Sequence, residues 1–194
     1  MELTTQEKII EAARTVFTKK GYSAARTRDI AEESGLNLAL INYHFQSKDN
    51  LFKIVILEKF EMLFGMISPI LSDSEISLEV KVETLVSNYT KLLLDNEHLP
   101  IFVLNELKSN EKIFEKVLQN ARMLSQPIIE NQLKERGFKI STINFIMNIV
   151  SLTLFPFISK PLFVSSGLLK EDEFTNFVMD RKQHIPSWVM NTLK

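Results

Sequence analysis

The sequence predicts an all-α fold of about nine helices, with a small three-helix unit at the N-terminus and a larger helical body behind it. Apolar residues recur at three- and four-residue spacing along most of the chain, the period of a helix with one buried face. Only 5 Gly and 6 Pro stand among 194 residues, too little punctuation for the many turns of a sheet protein. Ser, Thr and Asn precede several of the apolar runs, where helix caps are needed.

The first helix takes Thr4 or Thr5 as its cap, with Glu7 or Lys8 in the first turn. Ile9, Ile10, Ala13, Val16 and Phe17 form its apolar face. Lys19 and Lys20 suit its negative end, and Gly21 is expected to stop it. Arg28–Ser34 reads as a short second helix, ended by Gly35 with Leu36 packing back. Asn37 then caps a third helix, Leu38–Tyr43. Two short helices about a tight Gly-containing turn make a helix-turn-helix.

A longer fourth helix is expected from Ser47-Lys48-Asp49 to just before Pro69, with Leu51, Ile54, Val55, Leu57, Leu63, Phe64 and Ile67 inward. A fifth covers Leu78 to Asp95, and a sixth follows Pro100, a residue suited to a helix's first position. A seventh spans Glu111 to Arg136, with Pro127 able to kink it, and ends at Gly137. The stretch Thr142 to Phe157 is apolar around its whole circumference, so it must be covered on every side. Asn144, Asn148, Ser151, Thr153 and Pro156 interrupt it and no strong basic flank follows, which favours a partner subunit over a membrane. A last helix, Glu171 to Thr192, is expected to bend near Pro186.

Composition removes several function classes. Hydrophobic residues make up 45% and charged residues 24%, an ordinary soluble balance. Cysteine is absent, which excludes disulfides, thiolate metal sites and a cysteine nucleophile. Met1-Glu2-Leu3 lacks the basic start and apolar run of a secretory signal, so a cytoplasmic location is expected. The formal net charge is -1, so any nucleic-acid surface must be local. No Gly-rich phosphate loop, G-x-S-x-G elbow or H-E-x-x-H pair occurs. His44, His98 and His184 show no ligand spacing. Neither an enzyme nor a metal or cofactor site is expected; the rival class is a helical interaction protein.

The segment Gly21–Leu51 is more specific than a generic helix-turn-helix. Gly21-Tyr22, Ile30-Ala31, Gly35-Leu36-Asn37, Ile41, His44-Phe45, Ser47-Lys48 and Leu51, with Ile10, Ala13 and Phe17 before them, resemble the DNA-binding domain of the tetracycline-repressor (TetR) family. Two positions depart from the commonest pattern: Arg26 stands where Ser or Thr usually precedes the second helix, and Asn42 stands where Tyr is usual, with Tyr43 one residue later. The resemblance implies a DNA-binding domain over 1–47 and a ligand-binding and dimerisation domain over 48–194. It further implies a bacterial regulator, a repressor in most such proteins, that binds double-stranded DNA as a homodimer and is released by a small, mostly apolar ligand.

Ile30, Ala31, Leu36, Ile41 and Phe45 are expected to fill the core that sets the interhelix angle. Leu38, Ala39, Leu40 and Asn42, which Asn37 leads in, are the candidates for reading bases, since apolar side chains meet thymine methyls, while Asn42 can pair with a base edge or a phosphate. Tyr43, His44 and Lys48, with Arg26, Thr27 and Arg28, are the candidates for phosphate. The ligand pocket that the resemblance implies is assigned to Phe64, Tyr89, Phe102, Asn105, Met123, Asn144, Met147 and Asn148. Asn144 and Asn148 share a helix face, equally usable at a dimer seam.

Overall fold

The computed structural model describes residues 3–109 and 127–193. Among them the chain is helical without a strand: α1 (Thr5–Ala24), α2 (Thr27–Ser34), α3 (Leu38–Phe45), α4 (Lys48–Phe64), α5 (Ile67–Ser72), α6 (Leu78–Asp95), α7 (Leu99–Ser109), α8 (Pro127–Glu135), α9 (Thr142–Ser165), a 3-10 turn (Glu171–Glu173) and α10 (Phe174–Asn191). Of the expected helix Glu111 to Arg136, α8 is the described portion. Two compact units result. The first takes the chain up to Glu61 and rejoins it from Ile101; the second takes Met62–Pro100 and the C-terminal part.

In the first unit, α1 packs on α2 and α2 on α3. Thr4 caps α1 through a reciprocal pair: the Glu7 N–H donates to Thr4 Oγ1 at 3.3 Å and the Thr4 N–H donates to Glu7 Oε2 at 2.8 Å. Gly21, expected to stop the helix, breaks it at φ 70° and ψ 171°, a backbone that only Gly adopts at little cost, and a short further helical stretch follows to Ala24. Phe17, Tyr22 and Phe52 cluster beyond the kink, with Phe52 5.1 Å from Phe17 and 4.6 Å from Tyr22 between ring centroids. On α4, Leu57 is not inward as its spacing suggested; it is 47% exposed, and Phe52 and Ile56 take the inner face.

The second unit is built around α6, which packs against α5, α8, α9 and α10. Ser77 caps α6, and Leu78, Val82, Leu85, Val86, Tyr89 and Leu93 are buried on it. The break before α5 falls at Gly65-Met66 rather than at Pro69. Pro69 lies in the first turn of α5, where its missing N–H costs nothing. Lys81 is fully buried and donates to the Asp73 carbonyl at 2.5 Å and to Gln132 Oε1 at 2.9 Å, fastening the α5–α6 loop to α8. Lys160 joins Glu97 and Glu171, each at 2.6 Å, tying α9 to the α6–α7 connection and to the 3-10 turn before α10.

Helix α9 runs beyond the expected Phe157, through Pro156 and Pro161 to Ser165. A proline at position 156 deprives the Leu152 carbonyl of its helical donor. Arg181 on α10 fills that gap, donating from Nη2 to the Leu152 oxygen at 3.1 Å. Its guanidinium also lies 5.8 Å from the Phe177 ring and 5.1 Å from the Trp188 ring. The proline and the arginine therefore belong together. Arg181→Leu should cost about 1–3 kcal/mol of stability by orphaning a part-buried carbonyl. In a Pro156→Ala background, where the helical bond is restored, most of that cost should vanish. Urea unfolding of the four members of the cycle measures it; equal costs in both backgrounds would refute the pairing.

Candidate nucleic-acid interface

Local chemistry places α2 and α3 before any long-range contact does. Gly35 closes α2 in the left-handed conformation, φ 67°, and the Leu36 N–H returns to the Ala31 carbonyl at 3.1 Å. Asn37 Oδ1 then accepts from the Leu40 N–H at 2.9 Å and starts α3. Ile30, Ile41 and Phe45 are buried as expected, while Ala31 and Leu36 are half-buried at the edge of this core. The turn into α4 is tight. Gln46 takes φ 63° and ψ -40°, and the Ser47 N–H reaches the Phe45 carbonyl at 2.7 Å, a γ-turn of the rarer, strained hand.

Opposite that core, Ala39, Asn42 and Tyr43 are exposed on one face of α3, with Tyr43 80% exposed. Leu38, Leu40 and His44 flank them half-buried. Asn37 is exposed, but its side-chain oxygen serves the cap. His44 Nδ1 lies 3.4 Å from Gln6 Nε2, and its ring meets Tyr43 edge-on at 5.1 Å. At the head of α2, Arg26 and Arg28 are exposed and Thr27 is half-buried. Arg26 offers no side-chain oxygen to cap α2. The cap comes from Asp29, whose Oδ2 accepts the Arg26 N–H at 2.9 Å and pairs with Lys20 at 3.1 Å. The Arg26 amide, then Lys20, hold this carboxyl below the ordinary aspartate range.

Lys48 has a second task that its position at a helix start did not reveal. Its Nζ donates to the Tyr22 and Ala25 carbonyls at 3.0 and 3.1 Å and sits 4.1 Å from the centre of the Tyr22 ring. Two of its three ammonium hydrogens are engaged in this way. The Tyr22 hydroxyl donates to Asp49, which with burial pushes its pKa up to about 12.

The ligand candidates fall in both units. Phe102, buried, and Asn105, exposed, belong to the first unit; Phe64 is half-buried in the second. Tyr89 is fully buried and its hydroxyl donates to the Leu63 carbonyl. Asn144 and Met147 are exposed on α9, and Asn148 Nδ2 lies 3.4 Å from Thr192 Oγ1. Met123 lies outside the described residues. A surface cleft of about 660 Å³ opens between α6 and α10, lined by Glu79, Glu83, Lys182, Pro186 and Met190 among others. Solvent-facing residues form it, so no periodicity signals it.

Residues 9–55 match the family described as bacterial regulatory proteins, tetR family. Across its whole length the chain is 25% identical to the "Probable HTH-type transcriptional regulator YttP" of Bacillus subtilis (strain 168), covering 96% of that protein. It is 30% identical over 74 residues to the HTH-type transcriptional repressor KstR2 of Mycolicibacterium smegmatis, 38% of this chain and 36% of that one. The fold is similar to the crystal structure of the transcriptional regulator FadR from Bacillus subtilis in complex with stearoyl-CoA, at TM-score 0.63 and 20% identity over 94% of this chain and 98% of that one. The N-terminal match covers the helix-turn-helix segment, the full-length relative is named as an HTH-type transcriptional regulator, and the fold is shared with a transcriptional regulator: over residues 9–55 the chain is similar to the tetR family of bacterial regulatory proteins.

Proposed function

We propose that the chain is a cytoplasmic repressor that grips an inverted-repeat operator as a homodimer and releases it when a small, mostly apolar ligand occupies the helical body. One observation carries the reading. The packed side of α2 and α3 is closed by Ile30, Ile41 and Phe45, while the open side presents Arg26, Arg28, Ala39, Asn42 and Tyr43. Among the described residues neither arginine is in an ion pair. Arg26, Thr27, Arg28, Tyr43, His44 and Lys48 orient the protein on phosphates; Leu38, Ala39, Leu40 and Asn42 meet base edges. Residues 1–47 form the DNA-binding domain and 48–194 the ligand and dimer domain.

The dimer reading rests on α9 and α10. Ile143, Met147, Phe155 and Leu162 of α9 are 52%, 52%, 59% and 66% exposed, and Trp188 of α10 is 39% exposed. Helix α9 is long and apolar enough to cross a membrane by length and composition. Its other side, however, is buried through Phe145, Ile146, Ile149 and Phe157, and it packs on α6 and α10. A second copy laid on the open side removes an apolar patch that a soluble monomer would not tolerate. Two-fold symmetry in the protein then calls for two-fold symmetry in the operator.

The release reading rests on α4, which is continuous across the boundary between units at Glu61-Met62. At 1.5 Å per residue it is about 26 Å long, so a tilt of about 6° displaces one end by about 3 Å. Half-sites one DNA turn apart do not tolerate such a shift in both subunits. A ligand selects the tilted state only by its differential affinity for the two states. The acyl chain of stearoyl-CoA, held by the FadR fold neighbour, has the apolar chemistry expected of such a ligand. Of the candidate residues, Phe64, Tyr89, Asn144, Met147 and Asn148 lie in the second unit.

Arg26→Ala and Arg28→Ala should each weaken binding to all duplexes alike and reduce the slope of log K against log salt by about 1. Asn42→Ala should instead alter base preference at one position of each half-site. Fluorescence anisotropy titrations at several salt concentrations measure both, and an unchanged salt slope in the arginine variants would remove them from the interface. Sedimentation should find a dimer at micromolar concentration, and Phe155→Glu, which sets a charge on the open face of α9, should shift it to monomer. A monomeric unmodified chain would refute the seam.

A further inference from the structure

The turn that leads from α1 into α2 is held from two sides by opposite charges. The kink at Gly21 takes the Tyr22 N–H out of the ordinary helical ladder. That N–H donates instead to Glu106 Oε1 of α7 at 3.0 Å. The carboxylate comes so near that a Cβ placed on Gly21 would lie 3.5 Å from it. On the other side, Lys48 of α4 binds the Tyr22 and Ala25 carbonyls at 3.0 and 3.1 Å. Tyr22–Ala25 thus has its amide end fixed by a carboxylate and its carbonyl end fixed by an ammonium. The next residue is Arg26.

Glu106 is 5% exposed, although most glutamates lie at the surface. It stands one helical turn after Phe102 and Val103, which are 6% and 1% exposed, so one face of α7 is anchored in the first unit. The chain enters that unit on α7 at Ile101 and leaves it on α4 at Glu61. The two charges on Tyr22–Ala25 therefore come from α4 and α7, the two helices among the described residues on which the chain crosses between the units.

We propose that Glu106 is a positioning residue for DNA binding: through the Tyr22 amide it sets the α1–α2 turn, and with it Arg26 and Arg28, so that α7 joins α4 as an input to the DNA-binding surface. The proposal rests on the DNA-binding reading above. A carboxylate that only satisfied a stray N–H would affect stability and leave DNA affinity untouched in a folded variant.

Two substitutions separate these roles. Glu106→Gln keeps an acceptor oxygen at the same place; Glu106→Met keeps the bulk and removes the acceptor. The probe is a duplex enriched from random-sequence DNA by the unmodified chain. At a temperature where both variants are folded by circular dichroism, E106M should bind this duplex about tenfold more weakly, the value of one hydrogen bond to a charged group. E106Q should remain within about threefold. The Tyr22 amide should exchange with solvent faster in E106M alone. E106M affinity within about threefold of the unmodified chain overturns the proposal. If E106M does not fold, the unmodified chain decides: a protected Tyr22 amide supports the contact, and exchange at the unfolded-chain rate overturns it. Failure to enrich any duplex counts against the DNA-binding reading, while the amide measurement needs no DNA and still reports on the Glu106 contact.

Discussion

Burial of Phe17, Ile30, Ile41 and Phe45 in one small core is the interaction on which the rest depends. Helices α2 and α3 have 8 residues each, well below the length at which a helix persists alone in water. They exist because one side of each is packed, α2 on α1 and α3 on α2. The same packing decides which side is left over. With Ile41 and Phe45 inward, Ala39, Asn42 and Tyr43 are outward. The proposed recognition surface is thus the geometric complement of the core, and on that proposal substitutions in the core act on DNA binding through helix angle.

Charge is used sparingly around that surface. The whole chain carries a net charge of -1, and several cations near the N-terminus are already committed. Lys20 is paired with Asp29, Arg14 with Glu11 and Glu58, and Lys48 with two carbonyls. In the proposed interface Arg26 and Arg28, in no ion pair among the described residues, are left to meet phosphates. In the proposed dimer a seam through α9 and α10 doubles that surface on one operator.

What was legible in the sequence was local. Thr4, Gly35, Asn37 and Ser77 act within four residues of themselves, and each is found in its cap or turn. The α2–α3 core follows from periodicity over one or two turns. What was not legible depends on partners far along the chain. Lys48 reads as a free phosphate ligand until α1 supplies the Tyr22 and Ala25 carbonyls. Glu106 carries no signal at all, since its partner is 84 residues away. Pro69 misled: expected just beyond the end of α4, it falls in the first turn of α5, where its missing N–H costs nothing. The surface cleft between α6 and α10 arises from how the two helices pack, which leaves no one-dimensional pattern.

The claim that α2 and α3 read DNA sequence as part of a symmetric pair is tested most directly by selection from random-sequence duplexes with the full-length chain. The account predicts enrichment of an inverted repeat with half-site centres one DNA turn apart, about 34–36 Å, or a multiple of that. Recovery of a single half-site without a symmetric mate, or of no preferred sequence at low salt, would contradict it.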